Sequence, residues 1–323
     1  MTTSVTFVIP SYNYGRYVRQ AVDSLLGQTF RALDIIVVDD ASTDNTAEVL
    51  ARYREEPRVR VVRHATNQGH IASYNDGLSM ASGEFVGLLS ADDFAVAPDG
   101  VERQVAMFEA NTGVGLVYSA YQLVRADGTP FHVTTPRPAD TVVDGLDAFR
   151  ELLFENTVPA SGTLVRRACH EALGWYDASF PHANDWDLWL RLSSRYDVGY
   201  VAAPLYAYRI HAANMSIQAV RPRQAVDELR RVIDKNVALL DERQRAELLP
   251  LLAPARRHAL FYTLWGDLGY GRPWRAWRGL ASLPGRSPSV LADRVFYTTC
   301  ARALYLTLVG RQRYRRRFGG FDV

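Results

Sequence analysis

Cysteine is nearly absent from this chain of 323 residues: only Cys169 and Cys300 occur, far apart and in no CxxC pair. That excludes a disulfide framework and a thiolate zinc site, and it fits a reducing compartment. Also absent is any run of the ~18 apolar residues that a membrane-spanning helix needs. No basic leader or cleavage site precedes the strand-like run Val5-Thr6-Phe7-Val8-Ile9. The expectation is therefore a cytoplasmic protein, either free or peripheral on the inner face of the cell membrane. A 48% share of hydrophobic residues excludes global disorder and suffices for one large domain or two modest ones. An even spread of charge is missing too. Residues 221–323 carry 20 Lys+Arg against 9 Asp+Glu and residues 1–220 carry 17 against 26, so a net charge of +2 conceals a basic and an acidic region. The acidic region repels nucleic acid and the basic one holds no base-reading motif, so nucleic acid is not an expected partner. An anionic membrane surface and a plainly solvated basic face are the two readings that remain.

What the chain does have is rhythm. Residues 4–9 and 33–39 are apolar, β-branched and non-alternating, the pattern of parallel strands buried on both faces. Between them, Tyr17 to Gln28 puts Val18, Ala21, Val22, Leu25 and Leu26 on one helical stripe. Helix followed by strand recurs at 44–55 and 58–63, at 70–81 and 84–89, and at 99–110 and 114–121. This predicts an α/β fold with a mostly parallel sheet flanked by helices. The rhythm ends at Ala126-Asp127-Gly128, a hairpin turn, and at a proline-containing loop from Thr134 to Thr141. A mixed half follows, with helix 144–154, strand 161–166, helix 185–196 and two short strands at 198–202 and 205–210. Beyond it only helices are expected, at 223–240, 243–265, 272–283 and 288–309. The charge shift and Pro222 set the boundary: a domain of residues 1–218, in halves 1–121 and 122–218, then a basic helical region 219–323.

In open α/β sheets ligands bind beyond the carboxyl ends of the strands. Those ends are polar here: Pro10-Ser11-Tyr12-Asn13, Asp39-Asp40-Ala41-Ser42-Thr43-Asp44, Asn67-Gln68-Gly69 and Ser90-Ala91-Asp92-Asp93. Tyr12 offers a ring on which a base stacks, and Asp40 a carboxylate for a base or ribose. Ser42 and Thr43 read better as helix caps, and Asp39 as either. Asp92 and Asp93 suit Mg²⁺ or Mn²⁺, which prefer oxygen ligands and leave positions open for phosphate; alternatively, one of them caps the helix that begins near Pro98. In the segment Asn184 to Leu192 an apolar stripe anchors a helix whose first turn carries Asp185. Asp185 is a candidate general base towards an acceptor hydroxyl, with N-capping as its other reading and Asp187 as its competitor. Arg209 and His211, at the end of the last strand, supply a cation and an imidazole suited to a pyrophosphate or its metal.

Taken in order, these blocks resemble glycosyltransferase family 2, with its Rossmann-like GT-A fold. The matching segments are Val8 to Asn13 with Leu25 to Thr29, Val37 to Thr46, Asn67 to Gly77, Ser90 to Asp93, and Asn184 to Leu192. The resemblance covers residues 4–216 and implies an inverting, metal-dependent transferase that moves a sugar from a nucleotide diphosphate donor, UDP-sugar by default. Its implied acceptor is a saccharide or a lipid-linked molecule, in cell-surface polysaccharide or glycolipid synthesis. It implies nucleotide contacts by Pro10, Tyr12, Asn13, Asp40, Asn67, Gly69 and Asp92, a Mn²⁺ or Mg²⁺ cofactor on Asp92, Asp93 and His211, and Asp185 as the base. Arg209, Trp186 and Asp187 are its implied contacts to diphosphate or acceptor. Two positions depart from the pattern: Ser90 stands where many members carry the first aspartate of DxD, and Asn184 replaces an acid that often precedes the base.

Two rival readings remain in view. A sugar nucleotidyltransferase would need a glycine-rich basic loop after the first strand, and Pro10 to Gly15 offers one glycine. A nucleotide-binding scaffold without turnover has Ser90 in its favour and Asp92, Asp93 and Asp185 against it. Past residue 220 the resemblance fades. Val290, Leu291, Val295, Phe296, Leu304, Leu306, Leu308 and Val309, with the arginines of 311–317, suit either the membrane interface or packing on the catalytic domain or a second subunit. Arg302 argues against spanning, and the oligomeric state stays open.

Overall fold

The computed structural model describes residues 3–211, 214, 222–269, 271–286, 290–291 and 294–318. They fall in two compact units, Met1–Arg209 and Ile210–Val323. In the first, β1 (Val5–Ser11), β2 (Leu33–Asp39), β3 (Val59–Arg63) and β4 (Phe85–Leu88) lie parallel in the order β3-β2-β1-β4. Val5, Phe7, Val8 and Ile9 are all fully buried, so β1 is covered on both faces, as its uninterrupted apolar run requires. The connections are α1 (Val18–Leu26), α2 (Thr46–Leu50) extended by one tight turn at Ala51–Tyr53, and α3 (His70–Ser79). The α1 stripe Val18, Ala21, Val22 and Leu25 is buried against the sheet, while Arg19 and Asp23 pair on its outer face.

Beyond β4 come β5 (Phe94–Ala95), α4 (Gly100–Ala110), β6 (Val114–Arg125), β7 (Pro130–Thr134), β8 (Thr141–Val143) and α5 (Gly145–Leu152). They are followed by β9 (Leu164–Arg166), α6 (Arg167–Leu173), α7 (Asn184–Ser193) and β10 (Asp197–Ile210). The sheet continues past β4 as β9-β6-β10-β5, with β7 on β6 and β8 on β10. Strand β9 runs antiparallel to both β4 and β6. A parallel half thus passes into an antiparallel half through one three-residue strand. The expected pair of short strands near 200 is one strand of 14 residues, β10.

The second unit is helical: α8 (Pro222–Ala238), α9 (Glu242–Gly269), α10 (Pro273–Arg286) and α11 (Arg294–Phe318). Phe261, Leu264, Leu268, Leu280, Leu283, Val290 and Leu306 form a core of its own. Helix α11 is interrupted at Gly310, whose φ of 76° only glycine adopts without strain.

Candidate active site

The loops after β1 and β2 are laced to each other. Asn13, at φ 59°, accepts hydrogen bonds on its side-chain oxygen from the Thr43 amide (2.8 Å), the Thr43 hydroxyl (3.2 Å) and the Asp44 amide (3.3 Å). Its own amide donates to the Ser42 hydroxyl (2.9 Å). Asp44 accepts from the Gly15 amide and from the amide and hydroxyl of Thr46. The capping expected of Ser42 or Thr43 is thus done by Asp44, because Ser42 is turned towards Asn13. Ala41 shares the left-handed conformation of Asn13, also at φ 59°, and non-glycine strain of this kind collects at ligand sites. Beside this double loop Pro10 is half-buried at the end of β1, and Tyr12 is exposed, its ring open to a stacking partner.

The two aspartates that end β2 divide the work. Asp39 is bound to the Ser42 amide (3.0 Å) and to Arg63 (2.6 Å), a structural assignment. Asp40 accepts from His64 Nδ1, the Gln68 amide and the Gly69 amide, each at 2.8 Å. Burial opposes its charge, but those three donors outweigh it and hold the carboxyl below the usual carboxylate range. A carboxylate has about four acceptor positions, so three donors leave room for about one more. His64, unremarked in the sequence, also faces Asp76 of α3 through Nε2 (3.1 Å). It follows β3 directly, so inspection of that strand's carboxyl end would have found it. Asn67 is exposed and accepts from the Gly69 amide, while Gly69 holds φ 91° at the start of α3.

Helix α3 joins this region to the rest of the site. Gly77 packs on β1 so closely that a Cβ would lie 2.3 Å from Val8 Cγ1. The Asn75 side chain donates to the Tyr176 carbonyl and accepts from the Tyr176 amide, and His70 Nε2 lies 3.5 Å from Asn184 Nδ2. Between these, the buried Tyr74 phenol is driven upward by burial and then by the charges of Asp185, Asp92 and Asp93. The carboxylates after β4 and the carboxylate at the start of α7 therefore act on one phenol. That convergence is what the sequence, reading block by block, does not display.

Asp92 and Asp93 are both buried. Asp93 Oδ1 accepts from the Arg209 amide (2.8 Å), whereas its Oδ2 is buried with no hydrogen-bond partner. Burial, then the charge of Asp92, pushes Asp93 well above the usual carboxylate range. Asp92 hydrogen-bonds Tyr14, whose phenol is raised by burial and by both aspartates. Among the described residues no three His, Cys, Asp or Glu side chains gather as a ready metal site. Of the expected ligands, Asp92 and Asp93 are adjacent in the first unit, and His211 belongs to the second. The His211 backbone closes a local loop with Asn214: its amide donates to Asn214 Oδ1 and its carbonyl accepts from the Asn214 amide. A cation that shares its shell with substrate phosphate needs only one or two carboxylates, and an orphaned buried carboxylate oxygen fits that requirement.

On α7, Asp185 is half-buried and accepts from the Trp186 amide (2.8 Å) and from Asn156 Nδ2 (3.0 Å). Burial raises its carboxyl above the usual range against the pull of the Trp186 amide, Asn156 and its own backbone amide. Three expected contacts to diphosphate or acceptor are placed otherwise. Asp187 is fully buried in an ion pair with Arg191 (2.9 Å), which also donates to the carbonyls of Leu173, Gly174 and Trp175. Trp186 is buried and donates its indole N–H to Leu152 O (2.6 Å). Arg209 is buried between the rings of Tyr17 and Phe94 and donates to Asp92 O, Ala126 O and Gln20 Oε1. All three side chains are buried and partnered within the protein, Trp186 and Asp187 on α7 and Arg209 near the carboxyl end of β10.

The family description "Glycosyl transferase family 2" matches residues 6–153. YwdF of Bacillus subtilis (strain 168), named an uncharacterized glycosyltransferase, is 28% identical over 84% of this chain and 99% of its own length. Among solved structures, Staphylococcus aureus TarS 1–349 in complex with UDP-GlcNAc superposes with a TM-score of 0.69 at 17% identity, over 99% of this chain and 93% of that one. The mannosyltransferase PcManGT of Pyrobaculum calidifontis, in complex with GDP-Man and Mn²⁺, gives 0.61 at 20% identity, over 98% and 83%.

Proposed function

We propose that this chain is a glycosyl transferase of family 2, whose description matches residues 6–153, and that it is an inverting transferase using a nucleotide diphosphate sugar, with UDP as the favoured nucleotide. The catalytic domain is residues 1–218, followed by a basic helical region that touches anionic membrane. The observation that carries the reading is that α3 ties the strand-end loops to the start of α7, through Asp76 on His64 (3.1 Å), Asn75 on Tyr176 and His70 beside Asn184 (3.5 Å), next to the candidate base Asp185.

Tyr12 stacks on the base, Asp40 keeps one acceptor position for the base or ribose, and Pro10, Asn13, Asn67 and Gly69 shape the nucleotide cleft. Asp92 and Asp93 would hold a divalent cation, whose contribution when bound is to neutralise charge developing on the departing diphosphate. Asp185, with two acceptor positions already used, takes the proton of the acceptor hydroxyl with the remaining ones. Its upward shift makes it a stronger base than an ordinary carboxylate. The deprotonated oxygen attacks the anomeric carbon opposite the diphosphate, and the configuration inverts.

Asp185→Asn tests this. It should cut transfer by about 10²–10⁴-fold, the usual worth of a general base, while the thermal stabilisation given by UDP and Mn²⁺ persists. Asp187→Asn is the control. It strips the partner from buried Arg191 and should lower thermal stability rather than chemistry. Near-normal transfer by Asp185→Asn removes the base assignment.

A further inference from the structure

Two tryptophans at i and i+3 on α7 donate their indole N–H groups to carbonyls six residues apart, one at the end of α5 and one beyond it: Trp186 to Leu152 (2.6 Å) and Trp189 to Val158 (3.0 Å). Both indoles are buried, Trp189 almost completely. A buried N–H that lost its acceptor would leave a costly unsatisfied donor, so each bond fixes the segment against α7. Asn156 lies between these two fastenings. Its Oδ1 accepts from the Val158 amide (3.3 Å), which orients the side chain, and its Nδ2 donates to Asp185 Oδ2 (3.0 Å). Asp185 Oδ1 is held from the other side by the Trp186 amide (2.8 Å).

We propose that Asn156 is a positioning residue for Asp185, and that the Trp186–Trp189 clamp exists to hold Asn156 in register. The inference rests on Asp185 being the base. The side-chain amide donates to one carboxylate oxygen and the Trp186 amide to the other, so the carboxylate plane is fixed and its remaining acceptor positions have one direction. An amide suits the task because it donates without carrying charge; Lys or Arg there would form an ion pair with the base and weaken it. The other titratable groups that act on Asp185 are Tyr74 from α3 and Tyr176 from the loop before α7. On α7 itself Asp187 and Arg191 neutralise each other. Asn156 lies beyond residue 153, where the family match ends.

The test reads the carboxylate directly. Carboxyl ¹³C resonances of aspartate-labelled protein are followed against pH, and the Asp185 signal is assigned by its absence in Asp185→Asn. Asn156 favours the ionised form, so Asn156→Ala should move the Asp185 midpoint upward by roughly one unit. Asn156→Asp has the same shape and no donor, and it should move the midpoint further, while Asn156→Gln, which keeps the amide, should restore part of the shift. A midpoint unchanged in both Asn156→Ala and Asn156→Asp overturns the inference. Release of UDP from UDP-GlcNAc and of GDP from GDP-mannose is measured on the same variants. Loss of turnover in Asp185→Asn with an unmoved midpoint in the Asn156 variants removes the positioning role alone, whereas full turnover in Asp185→Asn removes the base. The clamp predicts that Trp189→Phe, which deletes the indole donor, shifts the midpoint in the same direction as Asn156→Ala.

Discussion

Asp40 and Asp93 are both buried carboxylates just beyond a strand, yet their surroundings drive them in opposite directions. Asp40 meets two backbone amides and a histidine, so its charge is favoured. Burial, then the charge of Asp92, opposes the charge of Asp93 against the pull of the Arg209 amide. The consequences for stability have opposite signs. Asp40, with its pKa depressed, contributes stability that is present above the ordinary aspartate range and lost as pH falls through its own lower value. Asp93, with its pKa raised, costs stability as pH climbs from the ordinary aspartate range through its own higher value. At neutral pH without metal, Asp93→Asn should therefore melt higher than the parent chain, by about 2–4 °C if the relief is near 1 kcal/mol. Calorimetry with and without Mn²⁺ checks both halves, because the variant should also lose the stabilisation that Mn²⁺ gives the parent chain. A variant that melts lower without metal and still responds to Mn²⁺ contradicts the assignment.

At the scale of elements, α3 determines how the parts of the site meet. Its contacts with His64, Tyr176 and Asn184 come from Asp76, Asn75 and His70, and all depend on Gly77 letting the helix approach β1. Gly77→Ala puts a methyl 2.3 Å from Val8 Cγ1 and 3.2 Å from Val38 Cγ2, two stiff β-branched neighbours. Overpacking of this kind costs about 1–3 kcal/mol, to be read as a lower urea midpoint. A displaced α3 should weaken nucleotide-induced stabilisation as well. An unchanged midpoint would mean that the helix has slack. Element boundaries in the parallel half were legible where a strand is one apolar run, as in β2, which falls on the expected 33–39; β3 mixes valine with arginine, and the helix expected at 44–55 is α2 over Thr46–Leu50. The second half was less legible. Pro204 divides the sequence pattern of β10, yet the strand continues because β8 pairs with it only at 198–200 and β5 only from 206, so Pro204 sits where that edge needs no donor. Strand β5 has two residues and α6 seven, too short to show a period. The site's carboxylates were legible from their places after strands, but not which of them are spent on structure. The commitment of Asp187 and Arg209 depends on partners distant in sequence or hidden on a helix's inner face.

For the whole molecule, the net +11 of residues 221–323 needs a physical destination. The apolar residues of the last helix divide in two. Ala303 and Leu306 are buried in the helical unit, whereas Tyr297, Leu304 and Leu308 are exposed, Leu308 at 75%. With Ala301, also exposed, they stand at helical positions 297, 301, 304 and 308, a single stripe. Arg294 begins that stripe, and Arg302 and Arg313 are exposed near it. No helix among the described residues is long and apolar enough to cross a membrane. An apolar stripe flanked by arginines instead suits a helix lying in the plane of an anionic surface, with apolar burial and charge attraction acting together. A second copy of the chain is the poorer occupant, because two surfaces of the same strong positive charge repel. The full chain should therefore float with phosphatidylserine-containing liposomes at low salt and remain behind with neutral ones. Each nearby basic residue contributes about 1 kcal/mol and is screened within a Debye length, so flotation should fall as salt rises. Replacing Leu304 and Leu308 together with Asp leaves the unit's core untouched, and should abolish flotation without lowering the melting temperature. Failure of the unaltered chain to float at low salt would leave the stripe without a membrane role, and flotation unaffected by the Leu304→Asp, Leu308→Asp pair would transfer that role to the arginines alone.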